Sequence, residues 1–360
     1  MTTPPLDVRP ICERLADLED QFINADSANL VLYNAGLTDG LPVIAPTAEK
    51  INQMLGGLNF QLPATKLPLP PGFVIPTLGD IAACAVLAGC DLGVVPLIAS
   101  ALDAMTDPDF NLLGIQTTTG AAAPLIALNG PIINELRINS SHNALGQGWK
   151  TNATIGRAIR LALQNIAFAI PGSGDMATHG HPGKYTWLIA ENEEDSVWAP
   201  FHTSRGFNVD ESAVTVIAGV GSVEVVLPQT TAEDVVRTMS RSMVIAGNLG
   251  RQSFGGGQPV ILLPPEAAKF LSEQGWNRER FQEALYTESK TPLSWLPSHA
   301  VSRISANRKE LGIIESENVF AAISPEDILI IVTGGVGIKA TFIPTWAATE
   351  KAITCPISSF

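Results

Sequence analysis

The sequence predicts an α/β fold, with mixed sheets layered against helices and arranged as two related lobes. Three observations lead there. Strand-like apolar runs alternate with helical patterns along the whole chain. The phrase PVIAPTAEKINQML (42–55) shares its grammar of strand, proline turn and helix with PVILLPPEAAKFLSEQG (259–275). Two strand-like runs, Val214–Ala218 and Val223–Leu227, flank Gly219 to Gly221 and read as a hairpin, so the sheets are not purely parallel. The repeated phrase points to a duplication, although such grammar is common in α/β chains. The lobes are placed at 1–205 and 206–360.

In chain order, Val8 to Phe22 carries a helical stripe of Ile11, Leu15 and Leu18. Leu30–Tyr33 and Leu41–Ala45 flank a turn, and Thr47 is a plausible cap for the helix after it. Residues 56–76 are too rich in Pro and Gly for regular structure and read as an extended surface or interface arm. Two helices follow from Thr77 and end at Asp107-Pro-Asp109. Leu112–Thr118 and Leu125–Leu128 read as strands. At the centre lies an amphipathic helix with Ile155, Ala158, Ile159, Ala162 and Ile166 on one face, capped by Thr151 or Asn152. The strand-like YTWLIA (185–190) precedes an acidic run. Beyond the lobe boundary come helices from Thr231 to about Val244, Arg278–Tyr286 and Ser298–Lys309. Asp327–Val332 is the last strand.

At 360 residues with 46% hydrophobic content, a large core is available. Charged residues make up only 16%, which suits either a large α/β core or a homo-oligomer that buries apolar surface. A net charge of −13 without a basic run argues against nucleic acid as a partner. No apolar run reaches the ~20 residues of a spanning helix and no leader is apparent, so no membrane role and a cytoplasmic location are expected. Four cysteines without a C-x-x-C pair suggest buried thiols rather than a disulfide framework.

Three glycine runs each end in a cation: Gly146/Gly148 with Lys150, Gly247/Gly250 with Arg251, and Gly334/Gly335/Gly337 with Lys339. Glycine lets backbone N–H groups crowd an anion and the cation adds charge, so the runs read as a small-anion site or as ordinary turns. The first precedes the central helix, where Asn152 and Arg157 join the candidate ligand set. The third follows a buried-type strand. No nucleotide cofactor motif occurs.

His179 and His181, two apart, are candidate metal ligands for a divalent ion, with His202, Asp175, Glu191 or Glu193 as a third. The favoured reading of the pair is loop histidines, at a surface or acting as an acid and base. Glu191 and Glu193 share a side in an extended chain, so one is a candidate for a raised pKa and for catalysis, the alternative being a solvated acidic turn. Lys184 and Tyr185 read equally as a cation and a hydroxyl donor for the same site or as simple loop residues. The chemistry favoured is a lyase, hydratase or hydrolase acting on a small anionic organic molecule. The alternative is a non-catalytic scaffold.

The phrases DGLPVIAPT (39–47), AGC (88–90), NGP (129–131), NATIGRAIRL (152–161) and HPGKYTWLIAENE (181–193) resemble, over nearly the full length, a bacterial family labelled as thioredoxin-like or as companions of small proteins with a U/C-G-S-C motif. The resemblance implies a small thiol-bearing partner protein. This chain has neither C-G-S-C nor C-x-x-C, so the thioredoxin label finds no support in its own residues.

Overall fold

Alternate residues of one central strand face two different neighbours, and that parity builds the molecule in four layers. The computed structural model describes residues 7–244, 257–310, 312, 314–346 and 351–357. Its strands are β1 (Ala123–Asn129), β2 (Leu188–Ala190), β3 (Ala213–Gly219), β4 (Val223–Val226), β5 (Val260–Leu263), β6 (Thr291–Pro292), β7 (Asn318–Val319), β8 (Leu329–Val332), β9 (Lys339–Ile343) and β10 (Ile353–Pro356). One four-stranded sheet has the order β10-β3-β1-β2, the other β4-β9-β5-β8, and β6 pairs with β7 alone.

Side chains alternate across a strand. Ile126 and Leu128 of β1 turn to the helices Leu78–Ala88, Val95–Met105 and Lys150–Asn165. Leu125 and Ala127 turn to the second sheet, where they share a core with Val260, Leu262, Leu329, Ile331 and Ile343. The far face of that sheet, through Ile261, Leu263, Ile330, Val332 and Phe342, packs on the helices Ala232–Ser242, Pro265–Glu273 and Arg278–Glu288. The order is helices, sheet, sheet, helices. Covered on both faces, β1 and β3 are buried at all seven positions.

The two sheets share one pairing pattern. In the first, β1 runs parallel to β2 and antiparallel to β3, and β3 is antiparallel to β10. In the second, β5 runs parallel to β8 and antiparallel to β9, and β9 is antiparallel to β4. This mixed α/β architecture is the expected class, and the shared pattern supports two related lobes.

The division at 205/206 does not follow the sheets. Strands β3 and β10 complete the first sheet, so each lobe takes its fourth strand from the segment that follows the other lobe's third. The expected hairpin is corrected by the same observation: β3 and β4 lie in different sheets. Leu112–Thr117 is a helix rather than a strand, started by Asn111, whose Oδ1 accepts from the Gly114 N–H. Residues 41–45 form no strand, Leu30 lies inside the helix Ala25–Asn34, and β9 and β10 follow the strand expected to be last.

Helix starts were legible where a side chain closes the first turn. Thr77 and Asp80 form a reciprocal capping box, and Thr47 and Thr231 each accept from the backbone three residues on. The central helix is the exception. It begins at Lys150 after Trp149, with no side-chain cap, because Asn152 is used elsewhere: its Oδ1 accepts from the Asn139 N–H at 2.8 Å and its Nδ2 donates to the Asn139 carbonyl at 2.9 Å.

Candidate functional site

Parallel strands bring their carboxyl ends to one edge, and here both parallel pairs end side by side. The backbone N–H of Glu191, just past β2, donates to the Leu128 carbonyl. Thr333, just past β8, donates in the same way to Leu263. The two strand ends are then tied together: the Asn192 N–H donates to the Val332 carbonyl at 2.7 Å, and the Thr333 hydroxyl to the Ala190 carbonyl at 2.7 Å. Strand ends of this kind are where open α/β sheets place ligands.

A buried polar cluster occupies the first of these ends. Glu191 is 1% exposed. Its Oε2 accepts from Asn129 Nδ2 and from the Phe201 N–H, both at 2.5 Å, and its Oε1 accepts from Arg278 at 3.0 Å. Burial pushes the Glu191 pKa above the ordinary carboxylate range; Arg278, the Phe201 N–H and Asn129 oppose the shift, and Glu193 adds to it.

An Asn192–Asp195 turn folds the chain back, so Glu193 returns to Asn129. Its Oε1 accepts from Asn129 Nδ2 at 2.9 Å and from the Gly130 N–H at 2.8 Å. Both carboxylates therefore hang on one carboxamide. His202 completes the cluster. It is fully buried, its Nε2 lies 2.9 Å from the Asn208 carbonyl, and its Nδ1 stands 4.0 Å from Glu193 Oε1 with no hydrogen-bond partner.

A cavity of about 560 Å³ opens at the second strand end. Its walls include Thr333, the glycine run through Lys339, and Asn143–Leu145. Of the glycine runs only the third lines it among the described residues, against the segment that precedes the first: the Gly334 N–H donates to the Ser140 carbonyl, and the Val336 N–H approaches His142 Nε2 at 3.4 Å. At Gly335 a Cβ would fall 2.4 Å from the His142 ring, so only glycine fits. The Gly337 N–H is taken by Glu266, and Lys339 has no ion-pair partner among the described residues.

The remaining expected ligands are elsewhere. Lys150 pairs with Asp91 at 2.5 Å, away from the Gly146/Gly148 turn, and both side chains are largely solvated. Arg157 is held by both oxygens of Asp39 at 2.7 Å. The anion-binding role expected of Lys150 and Arg157 is thus corrected, because carboxylates from the first hundred residues neutralise both. Asn152 serves the fold as described. Gly247, Gly250 and Arg251 lie outside the described residues.

The expected catalytic set is also divided. Glu191 and Glu193 sit at the carboxyl end of β1. The His181 ring packs edge-on against Trp187, 4.7 Å between centroids, and Trp187 lies against Gly219, the partner of Ala123 at the other end of β1. The two groups are separated by the strand's length, roughly 20 Å. Lys184 belongs with His181, where its Nζ binds both oxygens of Asp175 at 2.6 and 2.7 Å. His179 is exposed on the turn above. Among the described residues no group of three or more His, Cys, Asp or Glu side chains is placed to hold a metal ion. The His179–His181 metal reading is corrected accordingly: the His181 Nδ1 accepts from the Gly183 N–H instead.

Burial, then Lys184 and Arg160, push the His181 pKa down to about 4 from an ordinary 6.5. Between those values the unfolded chain binds the proton and the folded one does not, so stability falls as pH drops from about 6.5 to 4. Urea midpoints measured across that window should fall for the native chain and flatten for His181→Asn. Parallel slopes for the two proteins would refute it.

No family model, curated protein or solved structure matches the chain. No helix among the described residues is long and apolar enough to cross a membrane.

Sequence reading missed Arg278 as a site residue and gave His202 only a secondary role. Arg278 opens a helix in which charged residues abound, and nothing local marks it as the one that is buried. Asn129 had only its place in the NGP phrase.

Proposed function

We propose that this chain is an enzyme, or the substrate-binding subunit of one, that acts on a small anionic organic molecule by lyase, hydratase or hydrolase chemistry, with Glu193 and His202 carrying the proton. The observation behind this is the unpartnered Nδ1 of His202 facing Glu193 Oε1 at 4.0 Å. A carbonyl only accepts, so the Asn208 contact assigns the neutral ring's N–H to Nε2 and leaves Nδ1 a lone pair. Two acceptors facing one another call for a proton between them, which is the arrangement a proton-transfer pair requires. Asn129, the Gly130 N–H and the Glu191–Arg278 pair position Glu193. The cavity at the adjoining strand end, lined by Thr333 and Lys339 but by neither Glu193 nor His202, falls in the size range of small-molecule sites, and Lys339 is its cation for a carboxylate or phosphate group.

Redox chemistry at this chain's own thiols is disfavoured. Burial raises all four: Cys84 and Cys12 strongly, Cys90 to about 12 and Cys355 to about 11. Each is a poor thiolate at neutral pH.

The test is deuterium incorporation, followed by proton NMR, into a panel of hydroxy- and unsaturated carboxylic acids in heavy water. Glu193→Gln should lower exchange by roughly 10²- to 10⁴-fold while leaving the melting temperature close to native. A variant that exchanges at the native rate ends the assignment.

A second reading, a scaffold in a homo-oligomer or on a small thiol-bearing protein, draws on the proline-rich arm. Leu62, Leu67, Phe73 and Ile75 all present exposed apolar surface there. A light-scattering mass of a single chain, together with failure to retain a C-G-S-C-bearing protein, would remove it.

A further inference from the structure

At the amino end of β1, far from Glu193, a second polar cluster carries an unspent positive charge. Arg160 projects from the central helix and is 9% exposed. Its Nε donates to the Lys184 carbonyl at 3.0 Å, its Nη1 reaches Gln116 Oε1 only at 3.4 Å, and its Nη2 stands 4.0 Å from Asp175. Lys184 spends its ammonium on Asp175 alone. Two cations against one carboxylate leave the group at a formal +1.

Gln116 is 1% exposed, and its Nε2 has no hydrogen-bond partner. The amide orientation follows from chemistry: Arg160 only donates, so the Gln116 oxygen accepts from it and the NH₂ is the group left without a partner. A buried net charge beside an unpaired buried donor is costly unless an acceptor joins them. Desolvation lowers the pKa of both Arg160 and Lys184, in keeping with cations held away from water. Met176 and Tyr185, the chain neighbours of Asp175 and Lys184, are exposed.

We propose that Arg160, Lys184 and Gln116 form a binding site for one small oxyanion, the carboxylate or phosphate group of a metabolite-sized molecule. Asp175 holds Lys184 in place and sets the net charge. The site is independent of the Glu193–His202 reading, and each can fail without the other.

The test is calorimetric and thermal-shift titration of the full chain with inorganic phosphate and, separately, malonate, at constant ionic strength near pH 7. Saturable binding of phosphate alone identifies a phosphate site, of malonate alone a carboxylate site, and of both a general oxyanion site. Lys184→Met should weaken binding roughly ten- to hundredfold, the worth of a charged hydrogen bond. Gln116→Leu keeps both charges and should also weaken it, which covers the case of a Lys184 variant that does not fold. Asp175→Asn, which raises the cluster to a formal +2, should bind more tightly. A purely structural cluster would lose stability in all three variants with no change in anion response. No saturable binding to the folded native chain, or an Asp175→Asn variant that binds more weakly, overturns the proposal.

Discussion

Arg278→Met should cost about 3–5 kcal/mol of stability, the penalty for leaving a buried carboxylate without its partner. Both members are secluded, with Arg278 at 5% and Glu191 at 0% side-chain exposure, 3.0 Å apart. Methionine restores the volume but not the charge. Glu191 then keeps the Asn129 and Phe201 donors and loses the cation. Because the native Glu191 pKa already lies above that of an unfolded carboxyl, the folded state binds the proton more tightly. Stability contributed by this group therefore falls as pH rises through the interval between the unfolded and folded values, and the variant should steepen that fall. Adding Glu191→Gln to Arg278→Met should recover much of the loss, since the uncompensated charge is gone. Guanidinium unfolding of the four proteins in the cycle measures it, and strict additivity would show the pair uncoupled.

Gly130→Ala should damage stability and site together. The residue sits at φ +83°, and a Cβ there would come within 2.2 Å of the Glu211 carbonyl oxygen. The left-handed backbone alone costs about 1–3 kcal/mol for an L-residue, and the clash is with backbone, which has no other rotamer. Relief requires the Asn129–Gly130 peptide to turn, and that withdraws the N–H given to Glu193 Oε1. Gly130→Ala should therefore lower any Glu193-dependent exchange as well as the unfolding midpoint. Gly148→Ala, at φ +110° with open space around it, serves as the control and should affect the midpoint only. Equal exchange losses in the two variants would detach Gly130 from the site.

How far residues can be read depends on how local their causes are. The central helix was legible because its apolar spacing is written within sixteen residues, and the carboxylates at 191 and 193 because they flank a strand end. Three features were hidden by distance. Which cations are already spent depends on Asp39 and Asp91, far from Arg157 and Lys150 in the chain. Whether β3 and β4 pair depends on which sheet each meets, and β4 alternates too weakly to say, with one buried residue in four. Arg278 acquires its role only when the second lobe closes on Glu191. A two-residue spacing such as His179–His181 suggests shared direction, but the turn between them sends one ring onto Trp187 and the other to the surface.

The exchange of fourth strands makes the two halves mutually obligate. Severed near residue 205, the leading fragment would lack β3 and β10 and expose the flank of β1, a ready template for mispairing. The trailing fragment would carry β3 and β10 paired only with each other, without the β1 that completes their sheet. During synthesis β3 must wait, its outer edge bare, until the whole second sheet has been made and β10 emerges to close it. The molecule is best regarded as a pair of interlocked half-sandwiches that gain their cooperativity, and their need for protection while nascent, from the same crossing of chains.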